Sequence, residues 1–388
     1  MSYKWNVPTK VLFGPGKVHD LAKEKMPGEK ALVVISNGKS VKDNGALDAV
    51  EAGLKAAGVE YVIYDKIQAN PLEPTIMEGV EFGRENGCDF VVGLGGGSVL
   101  DSATVISAVM PQPEGRVWDY IQSGTGGKMK FTAEPLPYIE ITTSAGTGSE
   151  VDAWGVVSNP DTKEKIGFQG GYPELAIVDP ELMVSVPPAY TAYQGFDALF
   201  HSVEGYVSKM CNEMAEIVEL AAISNIGQYL PVAVKDGSNI EARTKVAFAN
   251  TMSGYSMEVG SCVSEHSLEH ALSGHHHDLP HGAGLIMISE AYFTKWIEMG
   301  VCDDRFVTMA KALGKADASR PEDFIAALHE LIVACGVDNL RMSDYGIKPE
   351  EFPRIAKDAR ETMGGLFFCD RFDMTQEDVV EIYEKSYK

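Results

Sequence analysis

The chain has 388 residues, of which 45% are hydrophobic and 23% are charged, and these proportions exclude a disordered or fibrous protein. At about 150 residues per domain, the length predicts two or three domains, most simply two. The 56 acidic residues outnumber the 33 basic ones and give a net charge of −23. Such a field repels nucleic acid unless one face is locally basic, and the sequence holds no Lys/Arg cluster that could form one.

The cysteines and the N-terminus bear on the compartment. Six cysteines are scattered without a Cys-x-x-Cys pair: Cys88, Cys211, Cys262, Cys302, Cys335 and Cys369. This pattern is typical of free thiols in a reducing compartment. The N-terminus has no apolar signal-peptide core, and no run of about 18 apolar residues occurs. We therefore expect a soluble, cytoplasmic protein that does not enter a membrane.

Short apolar runs alternate with helix-like stretches in the first half of the chain. Residues 31–36 are rich in β-branched side chains and end at Asn37-Gly38, which predicts a strand followed by a turn. Further apolar runs follow at 61–64, 89–94, 138–141 and 175–178. This alternation is typical of βαβ units and predicts a parallel sheet.

The character of the sequence changes after Asp179-Pro180. Long amphipathic stretches follow, for example at 210–235, 241–260 and 321–336. We predict an α/β nucleotide-binding domain over residues 1–182 and an all-α domain over residues 183–388. Because no flexible linker separates them, we expect the two domains to pack directly together.

A glycine-rich segment follows the third of these predicted strands. It reads Gly-Leu-Gly-Gly-Gly-Ser-Val-Leu-Asp over residues 93–101 and leads into a predicted helix at 101–109. Glycines let the backbone approach a ligand, and a helix N-terminus favours phosphate. The spacing is neither Gly-x-Gly-x-x-Gly nor that of a Walker loop. A plain strand–helix turn is therefore the alternative interpretation.

A second polar loop follows the next predicted strand and reads Thr-Thr-Ser-Ala-Gly-Thr-Gly-Ser-Glu over residues 142–150. Its hydroxyls and small residues suit one wall of a nucleotide site, although alone such a stretch also fits a helix N-cap. Two such loops at strand ends of one α/β sheet favour a nucleotide-binding crevice.

Six of the nine histidines fall in one short segment that ends at His281. Within it His266 and His270 are four residues apart, and upstream Asp197 and His201 have the same spacing. Each of these pairs projects from one face of a helix. A carboxylate with several imidazoles is a donor set suited to Fe²⁺ or Zn²⁺ and unsuited to Ca²⁺. We therefore predict a divalent metal site.

A divalent ion beside a nucleotide site indicates a specific reaction. The ion acts as a Lewis acid that stabilises an alkoxide or, in reverse, polarises an aldehyde carbonyl. A nicotinamide then accepts or donates the hydride. The residues thus predict a metal-dependent alcohol dehydrogenase or aldehyde reductase whose partner is a small primary alcohol or aldehyde.

Over nearly its whole length the chain resembles the iron-containing alcohol dehydrogenase family. The matching motifs occur in order at Phe13-Gly14-Pro15-Gly16, 87–101, 145–150, 176–180, 197–201 and Pro280-His281-Gly282. The resemblance implies the dehydroquinate synthase-like fold of that family. It also implies an N-terminal nucleotide-binding α/β domain, an all-α C-terminal domain and an active site in the cleft between them. We further expect a homodimer or a larger homo-oligomer.

The resemblance also implies roles for individual residues. Four match the metal ligands of the family: Asp197, His201, His266 and His281. His270 matches the histidine that lines the site near the nicotinamide, and we predict it as a catalytic proton relay. Packing against the nicotinamide is the alternative for His270. The remaining matches are to contacts with the cofactor: Gly96, Gly97, Ser98, Asp101, Thr143, Ser144, Thr147, Lys165 and Leu182.

Two features depart from the family pattern. Thr142 stands where a proline is usual, and the spacing from His266 to His281 is one residue longer. The extra residue lies within Gly274-His275-His276-His277. Either one of these extra histidines reaches the metal or the substrate, or they are surface histidines clustered by chance.

The turn after the first predicted strand bears on the choice of cofactor. An acidic residue there usually accepts from the adenosine ribose and selects NAD. Here residues 37–42 read Asn-Gly-Lys-Ser-Val-Lys, with no carboxylate before Asp43. Gly38 leaves room for a 2′-phosphate, Ser40 can donate to it, and either lysine can offset its charge. We predict cofactor contacts from Asn37, Gly38 and Ser40 and a preference for NADP(H), with NAD as the alternative because Asn37 can also bond a ribose hydroxyl.

Two other functions fit parts of this pattern. Glycerol dehydrogenases of the same superfamily also pair a nicotinamide with a metal, but the Asp-x-x-x-His spacing and the Ala-Gly-Thr-Gly-Ser-Glu run favour alcohol dehydrogenases. A non-catalytic metal- or nucleotide-binding protein is the alternative from another class. The sequence does not identify the alcohol, since one methylene changes discrimination by only about 1–3 kcal/mol.

Overall fold

The computed structural model describes residues 3–388. Its chain forms two compact units. One is Asn6–Ser185, and the other is Val186–Lys388 together with residues 3–5. The sequence analysis placed the boundary near residue 182, which lies in a 3-10 turn, Pro180–Met183.

The first unit contains the strands. They are β1 (Lys10–Phe13), β2 (Lys30–Ser36), β3 (Glu60–Ile67), β4 (Phe90–Gly95), β5 (Tyr138–Thr142), β6 (Trp154–Asn159), β7 (Glu164–Gln169) and β8 (Leu175–Val178). Six of them form an all-parallel sheet in the order β1-β8-β5-β4-β2-β3. The predicted parallel sheet is therefore confirmed.

Helices cover both faces of this sheet, which explains why its central strands are apolar on both sides. The helices are α1 (Ser40–Asp43), α2 (Ala46–Ala56), α3 (Glu73–Glu85) and α4 (Gly97–Val109). Further 3-10 turns are Lys17–Lys23, Val117–Tyr120 and Ser149–Val151. On one face Val34 joins a buried cluster with Ile106 of α4. On the other, Val33 joins a cluster with Leu54 of α2.

The strand order reverses between β2 and β4. The chain passes from β2 to β3 on one side, and then returns to β4 on the other side of β2. In open α/β sheets, ligands bind at such a switch point, outside the carboxyl ends of the strands. The turn that begins at Asn37 and the glycine turn at Gly95–Gly97 both lie at this edge.

Two features of this unit were not predicted. The first is β1, a four-residue edge strand that pairs with β8. The second is an antiparallel hairpin of β6 and β7, which forms a separate two-stranded sheet. The side chain of Asn159 accepts from the backbone N–H of Asp161 at 3.0 Å and shapes the turn of this hairpin. The Asn-Pro-Asp run there is a turn signal that could have indicated it.

The second unit is helical throughout, as predicted. Its helices are α5 (Pro188–Val207), α6 (Glu213–Lys235), α7 (Ile240–Val259), α8 (Ser264–His275), α9 (His281–Met299), α10 (Asp303–Ala312), α11 (Glu322–Ala334), α12 (Phe352–Thr362), α13 (Gly364–Cys369) and α14 (Gln376–Ser386). Short 3-10 turns occur at Met342–Tyr345 and Pro349–Glu351. The amphipathic stretches of the sequence correspond to α6, α7 and α11.

Helix α6 is long and apolar enough to cross a membrane by length and composition alone, with a mean hydropathy of 1.4 over 18 residues. It packs along α5 and α7. Glu219 on this helix is completely buried. Because core helices of globular units share these properties, this helix is weak evidence for a membrane span.

Candidate active site

Three helices of the second unit carry the predicted metal ligands. Asp197 and His201 lie one turn apart on α5, and His266 lies in the first turn of α8. His281 is the first residue of α9 and follows Pro280. Three of the four predicted ligands therefore lie on helix faces, and the fourth, His281, lies at the start of a helix.

These side chains converge on one carboxylate oxygen. Asp197 Oδ1 lies 3.3 Å from His281 Nε2, 3.5 Å from His266 Nε2 and 3.8 Å from His201 Nδ1. The rings of His201 and His266 are stacked, with centroids 4.3 Å apart. The structure therefore brings together all four residues of the predicted ligand set.

The donor atoms fit a bound cation. Asp197 Oδ1 and His266 Nε2 are buried, and neither makes a hydrogen bond. Buried polar atoms without partners are costly and rare. A divalent ion among these atoms would satisfy them, and the mixture of carboxylate oxygen and imidazole nitrogen suits Fe²⁺ or Zn²⁺.

Two buried carboxylates stand behind the imidazoles. Glu204 contacts His266 Nδ1, and Glu269 contacts His281 Nδ1. The second oxygen of Glu204 accepts from the backbone N–H of Val263 at 2.8 Å. By engaging Nδ1, each carboxylate fixes the ring so that Nε2 points to Asp197, the arrangement typical of metal-ligating histidines.

Sequence reasoning missed both carboxylates. Each stands three residues after a predicted ligand, Glu204 after His201 and Glu269 after His266. That spacing puts each carboxylate on nearly the same helix face as the preceding histidine. The signal was therefore present, but the ring that each carboxylate contacts belongs to another helix.

The electrostatics of the cluster favour bound positive charge. Burial alone would raise the pKa of the Asp197 carboxyl, but His201 and His281 outweigh it and hold that pKa well below its usual value. Burial would likewise lower the pKa of His266, and Glu204 instead raises it. Glu265 is fully buried, and burial followed by the charge of Glu204 raises its pKa well above the ordinary value.

His270 lies one turn beyond His266 on α8. Its ring centroid is 5.2 Å from that of His281, and its Nδ1 lies 2.9 Å from Met363 Sδ. One donor atom of His270 is within 4.8 Å of donor atoms of Glu269 and His281. The structure thus places His270 at the edge of the cluster, and its proton-relay role stays a prediction.

The histidine run at the end of α8 has different surroundings. His275 Nε2 lies 2.7 Å from Asp358 Oδ2, and His276 Nε2 lies 3.3 Å from Glu351 Oε2. Among residues 3–388, neither belongs to a group of three or more donors that could hold a metal. This favours the interpretation that these two histidines are not ligands.

In the first unit, the two predicted nucleotide loops pack on each other. Gly96 is the N-cap of α4, and a Cβ at Gly97 would lie 2.2 Å from Thr147 Cγ2. A Cβ at Gly96 would lie 3.3 Å from Ser144 Oγ, and the backbone N–H of Thr143 donates to the Gly95 carbonyl at 2.9 Å. The close approach of Thr147 therefore requires glycine at position 97, whereas a Cβ at position 96 makes only a tight contact with Ser144.

The other predicted cofactor residues of this unit lie on α4, on β7 and in the 3-10 turn after β8. Ser98 lies in the first turn of α4, and Asp101, one turn on, accepts from Ser149 Oγ at 3.0 Å. Lys165 is a buried residue of β7. The carbonyl of Leu182 accepts from Asn44 Nδ2 at 3.3 Å, which ties the 3-10 turn after β8 to the segment after α1.

The turn after β2 leaves space at position 38. Asn37 and Gly38 follow the strand, and Ser40 begins α1. Gly38 does not have a positive φ, and a Cβ there would meet only Ser36 Oγ, at 3.5 Å. Lys42 Nζ forms an ion pair with Asp65 at 2.8 Å. The fold therefore does not require glycine at position 38.

Comparisons with known proteins agree with this geometry. A sequence model of iron-containing alcohol dehydrogenases matches residues 8–180, and one of the C-terminal part of that family matches residues 191–387. The chain is 30% identical to the 1,3-propanediol dehydrogenase of Klebsiella pneumoniae over 400 residues, covering 100% of both chains. It is also 30% identical over 403 residues to the NADH-dependent butanol dehydrogenase A of Clostridium acetobutylicum, again covering 100% of both.

A solved structure is also closely similar. It is the archaeal halo-thermophilic alcohol dehydrogenase of a Red Sea brine pool, with a TM-score of 0.93 and 34% sequence identity. The match covers 100% of this chain and 99% of that one. These relatives favour alcohol dehydrogenases over the glycerol-dehydrogenase alternative.

Proposed function

The chain belongs to the iron-containing alcohol dehydrogenase family, and we propose that its metal is held by Asp197, His201, His266 and His281. It is an alcohol dehydrogenase that uses a metal ion and a nicotinamide cofactor on a small-molecule alcohol. The ligand assignment rests on the surroundings of Asp197 Oδ1. Three imidazole nitrogens lie within 3.8 Å of this oxygen, and it makes no hydrogen bond.

The ion, the nicotinamide and the protein side chains have different roles at this centre. When bound, the divalent ion supplies Lewis acidity that lowers the pKa of the alcohol hydroxyl, and the nicotinamide supplies the hydride acceptor. Glu204 and Glu269 hold the rings of His266 and His281 in place. Because all but one of these side chains are nearly fully buried, they are already oriented before substrate binds, which limits the cost of reorganisation.

His270 is the proposed proton relay. It lies beside His281 without being one of the four ligands, and a neutral imidazole can accept and release a proton near pH 7. Its Nδ1 lies 2.9 Å from Met363 Sδ. The alternative is that His270 only packs against the nicotinamide.

We also propose a preference for NADP(H) over NAD(H). Support comes from the switch point of the sheet, where the turn after β2 carries no carboxylate and position 38 is open. Because Lys42 is paired with Asp65, Lys39 is the cation better placed to offset a 2′-phosphate, with Ser40 as a donor. NAD(H) is the alternative.

A kinetic panel tests these proposals. The absorbance of the reduced nicotinamide is followed with a series of primary aldehydes and alcohols, using NADPH and NADH at one fixed pH. Metal-dependent turnover with a higher kcat/KM for NADPH is expected. A preference for NADH of tenfold or more, about 1.4 kcal/mol, would contradict the cofactor proposal and leave the metal assignment standing.

A further inference from the structure

Cys262 lies in the tight turn between α7 and α8. The backbone N–H groups of Gly260 and Ser261 both donate to the Ser256 carbonyl, at 2.7 and 3.2 Å. Ser261 adopts a φ of 63°, a left-handed conformation that is uncommon for a residue with a side chain. Since the next residue, Val263, is held by Glu204, both sides of Cys262 are fixed to the metal-site framework.

The thiol of Cys262 faces two of the proposed ligands. Its Sγ, a ring nitrogen of His201 and a ring nitrogen of His266 all lie within 4.8 Å of one another, and all three residues are buried. His266 Nε2 is also one of the buried atoms that make no hydrogen bond. Because His266 belongs both to this group and to the group with Asp197 and His281, the two groups are parts of one cluster.

The distances suit a shared ion. Zinc binds sulfur at about 2.3 Å and imidazole nitrogen at about 2.0–2.1 Å, so the angles of about 90–120° in a five-coordinate site set sulfur and nitrogen about 3.1–3.8 Å apart. From separations within 4.8 Å, closure onto an ion requires a shift on the order of 1 Å. A cysteine side chain can make such a shift by a small rotation about χ1 without moving the fixed turn.

We propose that Cys262 is a further donor to the metal centre, through its sulfur and beside His201 and His266. This inference rests on the metal centre proposed above. On binding, the S–H bond breaks, the proton leaves to solvent, and the sulfur lone pair forms the bond to the divalent ion, with no change in oxidation state. A soft sulfur donor beside the imidazoles favours Zn²⁺ or Co²⁺ over Fe²⁺ more than nitrogen and oxygen donors alone would.

Cobalt substitution tests the proposal. The full-length protein is stripped with a chelator and reloaded with Co²⁺, and both its cobalt content and its near-ultraviolet spectrum are recorded. A sulfur-to-cobalt charge-transfer band is expected in the unchanged protein and in Cys335→Ser, and it should be lost in Cys262→Ser. Cys335 is a matched control because it is also a buried free thiol, at the C-terminal end of α11.

The outcomes separate this inference from the metal centre itself. Stoichiometric cobalt without the charge-transfer band would overturn the role of Cys262 and leave the four other ligands in place. Failure to bind cobalt at all would overturn both. Zinc-edge X-ray absorption on the unchanged protein gives a second measurement that needs no variant. It should show one sulfur at about 2.3 Å from zinc, and a shell of nitrogen and oxygen alone would overturn the proposal.

Discussion

Histidines at the two ends of α8 differ in what stands behind each ring. Near its start, His266 has the fully buried Glu204 on Nδ1 and Asp197 at 3.5 Å from Nε2. At its end, His275 and His276 contact Asp358 and Glu351, whose side chains are 34% and 37% exposed. A run of imidazoles therefore does not by itself make a metal site. The proposed metal site differs from that run by a buried carboxylate that fixes the ring and a second carboxylate on the far side of the ring.

The largest effect that follows from this comparison is loss of the metal on substitution of a ligand. His281→Ala removes the ring nitrogen nearest to Asp197 Oδ1 and leaves Glu269 without its imidazole. Since metal-ion stabilisation of the transition state is worth several kcal/mol, kcat/KM should fall by at least about 10³-fold. Metal content should fall with it, and both are measured on the purified variant.

His276→Ala is the matched control for that substitution. Its ion pair with Glu351 is partly exposed, and such pairs contribute about 1 kcal/mol or less. Metal content should be unchanged and kcat/KM should stay within about fivefold of the original. Normal metal content in His281→Ala would contradict the assignment of His281 as a ligand. Loss of metal in His276→Ala would contradict the exclusion of His276 from the ligands.

The next largest effect is expected at His270. His270→Phe keeps a flat ring of similar size but removes the proton-carrying nitrogens. The metal should be retained, and kcat should fall by about 10²–10⁴-fold, the usual contribution of general acid–base catalysis. The pH–rate profile should also lose its limb near neutrality. A profile of unchanged shape would support the packing role instead, and loss of the metal would refute both roles.

A smaller effect is expected from the carboxylates behind the rings. Glu269→Gln keeps the shape of the side chain and removes the charge that holds His281, so metal affinity should fall by about 10–100-fold. Competition with a chelating dye measures this affinity. Glu219→Gln is the control, because burial raises the pKa of Glu219 to about 8 and glutamine resembles its neutral form. Equal metal affinities in the two variants would contradict the proposed role of Glu269 in holding the ring of His281.

The smallest effect comes from placing a carboxylate where the chain has none. Gly38→Asp should repel a 2′-phosphate and shift the ratio of kcat/KM for NADPH and NADH toward NADH by about tenfold. Gly38→Ala is its control, since a Cβ at this position meets only Ser36 Oγ at 3.5 Å. If the alanine variant shifts the ratio as much as the aspartate variant, the side-chain volume at position 38, and not its charge, governs the preference between NADPH and NADH.

The sequence predicted those parts of the molecule that depend on local spacing. The pairs Asp197/His201 and His266/His270 each lie on one helix face because residues four apart do so in any helix. The five predicted strands all lie in the parallel sheet for the same local reason, namely apolar runs that end in turn residues. The approach of α8 and α9 to Asp197 on α5 does not depend on local spacing, and it was predicted from the donor types of these residues and from the family resemblance.

The parts that sequence reasoning missed depend on which elements meet. Glu269 contacts the ring of His281, a residue that begins another helix. Glu204 of α5 contacts the ring of His266 on α8. Cys262 comes near His201 only through the turn between α7 and α8. The edge strand β1 and the β6–β7 hairpin were missed because their short runs carry weak periodicity.

The most direct test of the account is to remove and return the metal in one sample. Metal content per protomer and NADPH-dependent aldehyde reduction are measured in the full-length protein before chelation, after chelation, and after Fe²⁺ or Zn²⁺ is added back. The account predicts that activity falls to background in proportion to the metal removed and returns with it, and that His281→Ala cannot be reconstituted. Full activity in metal-free protein would contradict the claim that the donors around Asp197 hold the ion required for turnover.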